Sequence, residues 1–211
     1  MPGMGFAPNA VLRTMNRIRL IVSVLISVGA VCHAESWSVD AGKLVTSARS
    51  QIGVTIKYDS SYQKIDYPGG DVPREKGVCS DVVVRSLREQ GIDLQKEVHE
   101  DMAAHFSKYP QRWKLGKPDT NIDHRRVLNL MTFFQRRGCE MEISRLGGSY
   151  RAGDIVAWDL GGGVTHIGVI SDRTIKKGVP LVIHNIGRGV QEEDILFQYE
   201  IIGHYRNKGT K

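Results

Sequence analysis

The sequence predicts an α+β domain, with helices first and an antiparallel sheet after them. Between residues 40 and 137 apolar side chains recur every three to four positions, and from Ser149 onward the period shortens to two. The chain is also long enough for one domain with a core of its own, over residues 35–211, carrying a helical insertion at about 92–150.

The elements follow in order. Arg13, Arg17 and Arg19 precede an apolar run over residues 20–31 and the small residues Cys32-His33-Ala34, the pattern of an export signal with cleavage after Ala34. Met15 offers an alternative start. The apolar run is shorter than a bilayer span, so the mature chain is expected to have no stable membrane span and to be periplasmic or secreted. Gly29, three before Cys32, stands where a lipoprotein signal carries leucine. Losing three arginines lowers the formal net charge from +6 to +3. Such a balance suits an anionic polymer such as the bacterial wall. No dense Lys/Arg run interleaved with aromatics argues for nucleic acid.

Leu44, Val45, Ala48 and Ile52 predict a first helix over residues 40–51, capped by Asp40 and ended by Gly53. Residues 54–58 read as a short extended piece, and residues 59–76, rich in Tyr, Pro, Gly and Asp, as a loop. An amphipathic helix then starts at Cys79 and stops by Gly91. Val98, Met102 and Phe106 predict a helix over residues 97–109 that Pro110 ends. A polar hinge leads to a helix from about His124 to Arg137, with Asp123 as cap and Val127, Leu128, Met131 and Phe134 as its buried stripe. Residues 153–160 and 164–171 read as the two strands of a hairpin turned by Gly161-Gly162-Gly163, and residues 181–186 and 196–205 as two more. The triple glycine is not a phosphate loop, since no lysine or helix follows it.

The chemistry centres on Cys79. A thiol in the first turn of a helix meets unpaired amide hydrogens and the positive end of the helix dipole, and both favour the thiolate. Ser80 or Asp81 can cap that turn. A cysteine nucleophile needs a base and a group that orients the base. His166 and His184 fall mid-strand in neighbouring strands, where alternation can set their imidazoles side by side. Tyr58, Asp71 and Arg74 lie in or beside the loop that leads into Cys79, and Asp119, Asn121, His124 and Arg125 in the hinge and the helix start after it. All are candidates to line a groove and bind substrate.

These residues also carry a resemblance. Gly77-Val78-Cys79-Ser80-Asp81, Gly153-Asp154-Ile155-Val156-Ala157-Trp158, Thr165-His166-Ile167-Gly168-Val169-Ile170 and Ile183-His184-Asn185 resemble the ordered blocks of the NlpC-type cell-wall cysteine peptidases. Tyr67-Pro68-Gly69-Gly70-Asp71-Val72-Pro73 and residues 119–126 resemble more closely an uncharacterised bacterial branch of that superfamily, a domain of unknown function. The resemblance implies a papain-like core and hydrolysis of peptide or amide bonds in peptidoglycan stems. It makes Cys79 the nucleophile, His166 the base and His184 the orienting residue, with Asn185 as the fallback for that last role. The Cys79 amide would help form the oxyanion hole, Tyr58, with Tyr67 as the second candidate, would face the thiol, and Ser80, Asp81 and Trp158 would line the site. No cofactor is implied. Asp81 stands where typical members have glycine, and its charge opposes a thiolate unless Arg74 or Arg125 neutralises it.

Other readings stay open. A Cys79–Cys139 disulfide would leave a wall-binding module without chemistry, and Cys79, His166 and His184 could ligate zinc. A cysteine acyltransferase would use the same three residues. The absence of a C-x-x-C pair argues against redox catalysis.

Overall fold

The computed structural model describes residues 38–175 and 177–207, together with residues 1, 3 and 5. The expected leader over residues 1–34, with Met15, Cys32 and the cleavage point at Ala34, otherwise lies outside the described residues. From residue 38 onward the described chain belongs to one compact unit. It holds four α-helices and a five-stranded antiparallel sheet, the α+β class that the two periods predict. No helix among the described residues is long and apolar enough to cross a membrane.

Helix α1 (Ala41–Arg49) starts where the Asp40 carboxylate accepts the Lys43 amide at 2.9 Å, and it buries Leu44, Val45 and Ala48. It ends before Ile52, which is exposed. The short strands β1 (Lys57–Tyr58) and β2 (Lys76–Gly77) pair in parallel and close the loop between them. Helix α2 (Cys79–Arg88) is buried on every side from Cys79 to Leu87, polar residues included. It is therefore a central core helix rather than the amphipathic helix expected.

The insertion holds α3 (Leu94–His105), capped by Asp93 and begun three residues earlier than its period suggests, and α4 (Val127–Arg136). His124 and Arg125 are not in the first turn of α4. They lie in a separate 3-10 turn, Asp123–Arg125, because the Asp123 carboxylate accepts from the Asp119 amide and Arg126 instead of capping the amides that follow. The buried stripe of α4 is Val127, Leu130, Phe133 and Phe134, with Leu128 and Met131 only half-buried.

The sheet runs β6-β5-β4-β3-β7, with β3 Ile155–Asp159, β4 Thr165–Thr174, β5 Pro180–Asn185, β6 Val190–Glu193 and β7 Glu200–Tyr205. Gly161, Gly162 and Gly163 turn the β3–β4 hairpin, all three at positive φ. Ile155, Ala157, Ile167, Val169 and Ile183 point to the face that packs with Cys79 and the helices. Val156, Trp158, Ile170 and Val182 point to the other face, beneath Tyr150, Ile195 and Leu196. The final expected strand starts at Glu200 rather than 196, and Leu196 is instead a buried residue of the segment before it.

Candidate active site

Cys79 is the first residue of α2. Val78, the N-cap, has no side-chain oxygen, so the turn is held from the other direction: Asp81 accepts the Val78 amide at 2.6 Å. Ser80 does not cap. Its hydroxyl donates to the Arg125 carbonyl at 2.7 Å.

The sheet explains where the sulfur goes. Ile170 donates to Asp154 and Leu160 to Val164, so the even-numbered residues of β4 turn their backbone groups toward β3, and odd-numbered ones turn toward β5. The paired register of β4 with β5 stops at Val169 opposite Ile183. The Ile167 amide beyond it points at the Cys79 sulfur, as do the amides of Ser80 and Cys79 itself. Asn185, where the ladder would continue, donates to the Gly77 carbonyl at 3.1 Å. The thiol thus fills the gap where β4 and β5 part, one residue along the strand from His166. Asn185 anchors the incoming loop through this bond, whereas His184 stands beside His166.

His166 and His184 stand together on the Trp158 face, with His166 Nε2 3.1 Å from His184 Nδ1 and the rings nearly perpendicular at 87°. Trp158 lies opposite His166 in the ladder, with its ring 5.8 Å away, and donates its indole N–H to the Leu196 carbonyl. Trp158 is fully buried and walls the imidazole rather than reaching a ligand. Among the described residues no hydrogen bond joins the Cys79 sulfur to either imidazole.

Cys79, His166 and His184 are 3%, 2% and 0% exposed. Burial decides the electrostatics. It pushes the thiol from its usual 9.0 up to about 11, aided by the Asp81 charge and opposed by the three amides. The helix start does not produce the lowered pKa that its position alone predicts. Burial likewise holds His166 down to about 3, with His184 adding to the effect. His184 is held down to about 4 by burial, against the pull of Glu193. The resting pair is therefore thiol and neutral imidazole.

The remaining expected residues divide into two groups. Tyr58 is partly exposed and its hydroxyl bonds toward the Cys79 sulfur; burial and that neighbour push its pKa up to about 12. Asp119 and Asn121 form an accessible cluster with the Tyr62 hydroxyl. Arg74 pairs with Glu89 on the surface at 3.5 Å and does not reach Asp81. The others are built into the scaffold. Asp71 ion-pairs with the buried Arg85 at 2.8 Å, and His124 is buried and held down to about 3, chiefly by desolvation. Arg125 meets both oxygens of Asp81 at 2.9 and 3.0 Å and also donates to the Asp59 and Ser61 carbonyls. It is Arg125, not Arg74, that compensates the Asp81 charge. Ser80, Asp81, His124, Arg125 and Trp158 present little surface to a ligand as they stand.

Cys79 and Cys139 are not bridged to one another. Among the described residues no group of three or more His, Cys, Asp or Glu is arranged to hold a metal ion. Two contributors escaped the sequence reading. The Ile167 amide is invisible there because any residue type supplies it. Glu193, whose Oε2 lies 3.3 Å from His184 Nε2, sits on a strand that the sequence period does not mark.

A family model described as "Domain of unknown function (DUF1287)" matches residues 45–207. A relative from Escherichia coli (strain K12), "Uncharacterized protein YijF", is 58% identical over 163 residues, which covers 77% of this chain and 80% of the relative.

Proposed function

The chain belongs to the DUF1287 family, and we propose that it is an exported cysteine hydrolase with an NlpC-like, papain-type core, cleaving peptide or amide bonds in peptidoglycan stems. The observation that carries this reading is the His166–His184 pair, at 3.1 Å on the strands that part around Cys79. A helix-start thiol, a buried imidazole one strand position away and a second imidazole behind it supply a nucleophile, a base and an orienting group. The basic and apolar leader supports export, and the residual positive charge suits an anionic wall polymer.

The order of events follows from the resting protonation states. His166 Nε2 is engaged by His184, which leaves Nδ1 to take the thiol proton. The pair starts neutral, so that proton moves as the sulfur attacks the carbonyl carbon, not before. The developing oxyanion is held by the Cys79 amide and the Tyr58 hydroxyl. Collapse of the adduct breaks the carbon–nitrogen bond, and His166 returns the proton to the departing amine. Water, deprotonated by His166, then attacks the thioester, releasing a carboxylate and the thiol. An acyltransferase would replace that water with an amine.

The near-complete burial of all three residues favours a second reading, a wall-binding module without chemistry. A kinetic series on a defined muropeptide separates the two. Cys79→Ala and His166→Ala should each abolish nearly all cleavage, and the double variant should be scarcely worse than either. His184→Asn should keep partial activity because its amide can still accept the His166 N–H, whereas His184→Ala should lose more. Turnover by His166→Ala at the wild-type rate, with an unchanged circular dichroism spectrum, would place the base elsewhere; binding without cleavage by the wild type would favour the module.

A further inference from the structure

On β6 neighbouring glutamates point in opposite directions. Ile183 stands opposite Glu192 and Val182 opposite Glu193, so alternation sends Glu192 to the helix face and Glu193 to the face of the two histidines. Glu192 is satisfied there by Arg49, Ser171 and Arg173. Glu193 reaches diagonally across β5, and its Oε2 comes within 3.3 Å of His184 Nε2. The alignment falls short of a hydrogen bond, and that buried nitrogen has no other partner. The other carboxylate oxygen is taken by Arg188. Glu193 and Arg188 stand with Ile186 and Tyr199 on the wall of an open groove of about 480 Å³.

We propose that Glu193 is a positioning residue that fixes the histidine tautomers, completing a line Glu193–His184–His166 on the strands that part around Cys79. The inference deepens the cysteine-hydrolase reading and rests on it for the purpose of the line. A carboxylate only accepts, so the His184 nitrogen facing it, Nε2, carries the proton. His184 Nδ1 then has a lone pair and accepts from His166 Nε2–H. His166 Nδ1 is left unprotonated, the one tautomer in which it can take a proton from the thiol. Reversing the His184 tautomer reverses the ladder and puts a proton on the nitrogen that must act as base. Arg188 pairs with the other carboxylate oxygen at the groove wall and so fixes the direction in which Glu193 lies.

The test needs no substrate, so it is independent of whether the protein cleaves the wall. Long-range proton–nitrogen correlation spectra of protein labelled with nitrogen-15 in histidine report the tautomer of each ring, and iodoacetamide reports the reactivity of Cys79. In the wild type both His184 and His166 should carry the proton on Nε2. Glu193→Gln keeps an acceptor oxygen and should retain that pattern. Glu193→Ala should shift His184 toward the Nδ1–H form and slow Cys79 alkylation about tenfold, and Glu193→Gln should restore the rate. Unchanged tautomers and alkylation in a folded Glu193→Ala protein would overturn the proposal. So would a wild-type spectrum with the His184 proton on Nδ1, a result that requires no variant to fold. A wild-type protein that shows the predicted tautomers but does not cleave the wall would sink the hydrolase reading and leave this one standing.

Discussion

Removing Arg125 should damage the fold rather than the grip on a ligand. Its guanidinium meets both Asp81 oxygens at 2.9 and 3.0 Å, and the two side chains are 2% and 4% exposed. Arg125→Met keeps much of the volume and leaves a carboxylate inside the protein without its cation. Breaking a buried pair in this way costs about 3–5 kcal/mol. For a domain of this size each kcal/mol moves Tm by about 2–4 °C, so the expected fall is about 6–20 °C. Differential scanning calorimetry reads it directly. Asp81→Asn in the same chain removes the orphaned charge while still accepting the Val78 amide. The double variant should therefore recover, with a coupling of at least about 1 kcal/mol relative to the sum of the single changes. A Tm for Arg125→Met within about 2 °C of wild type, or strictly additive effects, would refute the argument that this pair organises the cysteine turn.

Three of the buried histidines, His124, His166 and His184, should make the fold acid-sensitive. Their native pKa values of about 3, 3 and 4 lie below the ordinary 6.5, so the unfolded chain binds more protons, and stability falls as pH drops from about 6.5 toward about 4. Each contributes up to about 1.4 kcal/mol per pH unit. His124→Leu should flatten a curve of urea midpoint against pH over that range, and a parallel curve would contradict the burial argument. Tyr58→Phe should lower kcat for wall-peptide cleavage about 100-fold at unchanged Tm if its hydroxyl stabilises the oxyanion; an unchanged kcat would remove it from that role. Alkylation of Cys79 by iodoacetamide should climb with pH toward about 11. A rate already level below neutral pH would instead indicate a preformed thiolate.

What the sequence made legible was whatever apolar spacing encodes. Val83 and Leu87 mark α2, Val98 and Met102 mark α3, and the alternation around Ile155 and Ile167 marks the central hairpin. Strand β6 escaped because Gln191-Glu192-Glu193 is polar throughout, as an edge strand can be when its side chains pair with Arg49, Arg173 and Arg188 rather than with a core. The same polarity concealed Glu193. Ser80, Asp81, His124 and Arg125 read as groove residues because charge and polarity ordinarily mean surface. Only the packing of the 3-10 turn against the start of α2 reveals that Asp81 and Arg125 neutralise one another inside the protein and that Ser80 bonds the Arg125 carbonyl. The thiol was misjudged for a related reason. A helix start is visible in sequence, but the burial that outweighs it comes from strands almost ninety residues downstream.

The central claim is that Cys79 attacks a carbonyl carbon and that water completes the reaction. Digestion of purified peptidoglycan by the mature protein in water enriched in oxygen-18, with mass spectrometry of the soluble fragments, tests both halves at once. The account predicts new fragments that each carry one heavy oxygen in the newly formed carboxyl group, and none from Cys79→Ala. Fragments without the label would mean transfer rather than hydrolysis, and a fragment pattern identical for wild type and Cys79→Ala would contradict the account.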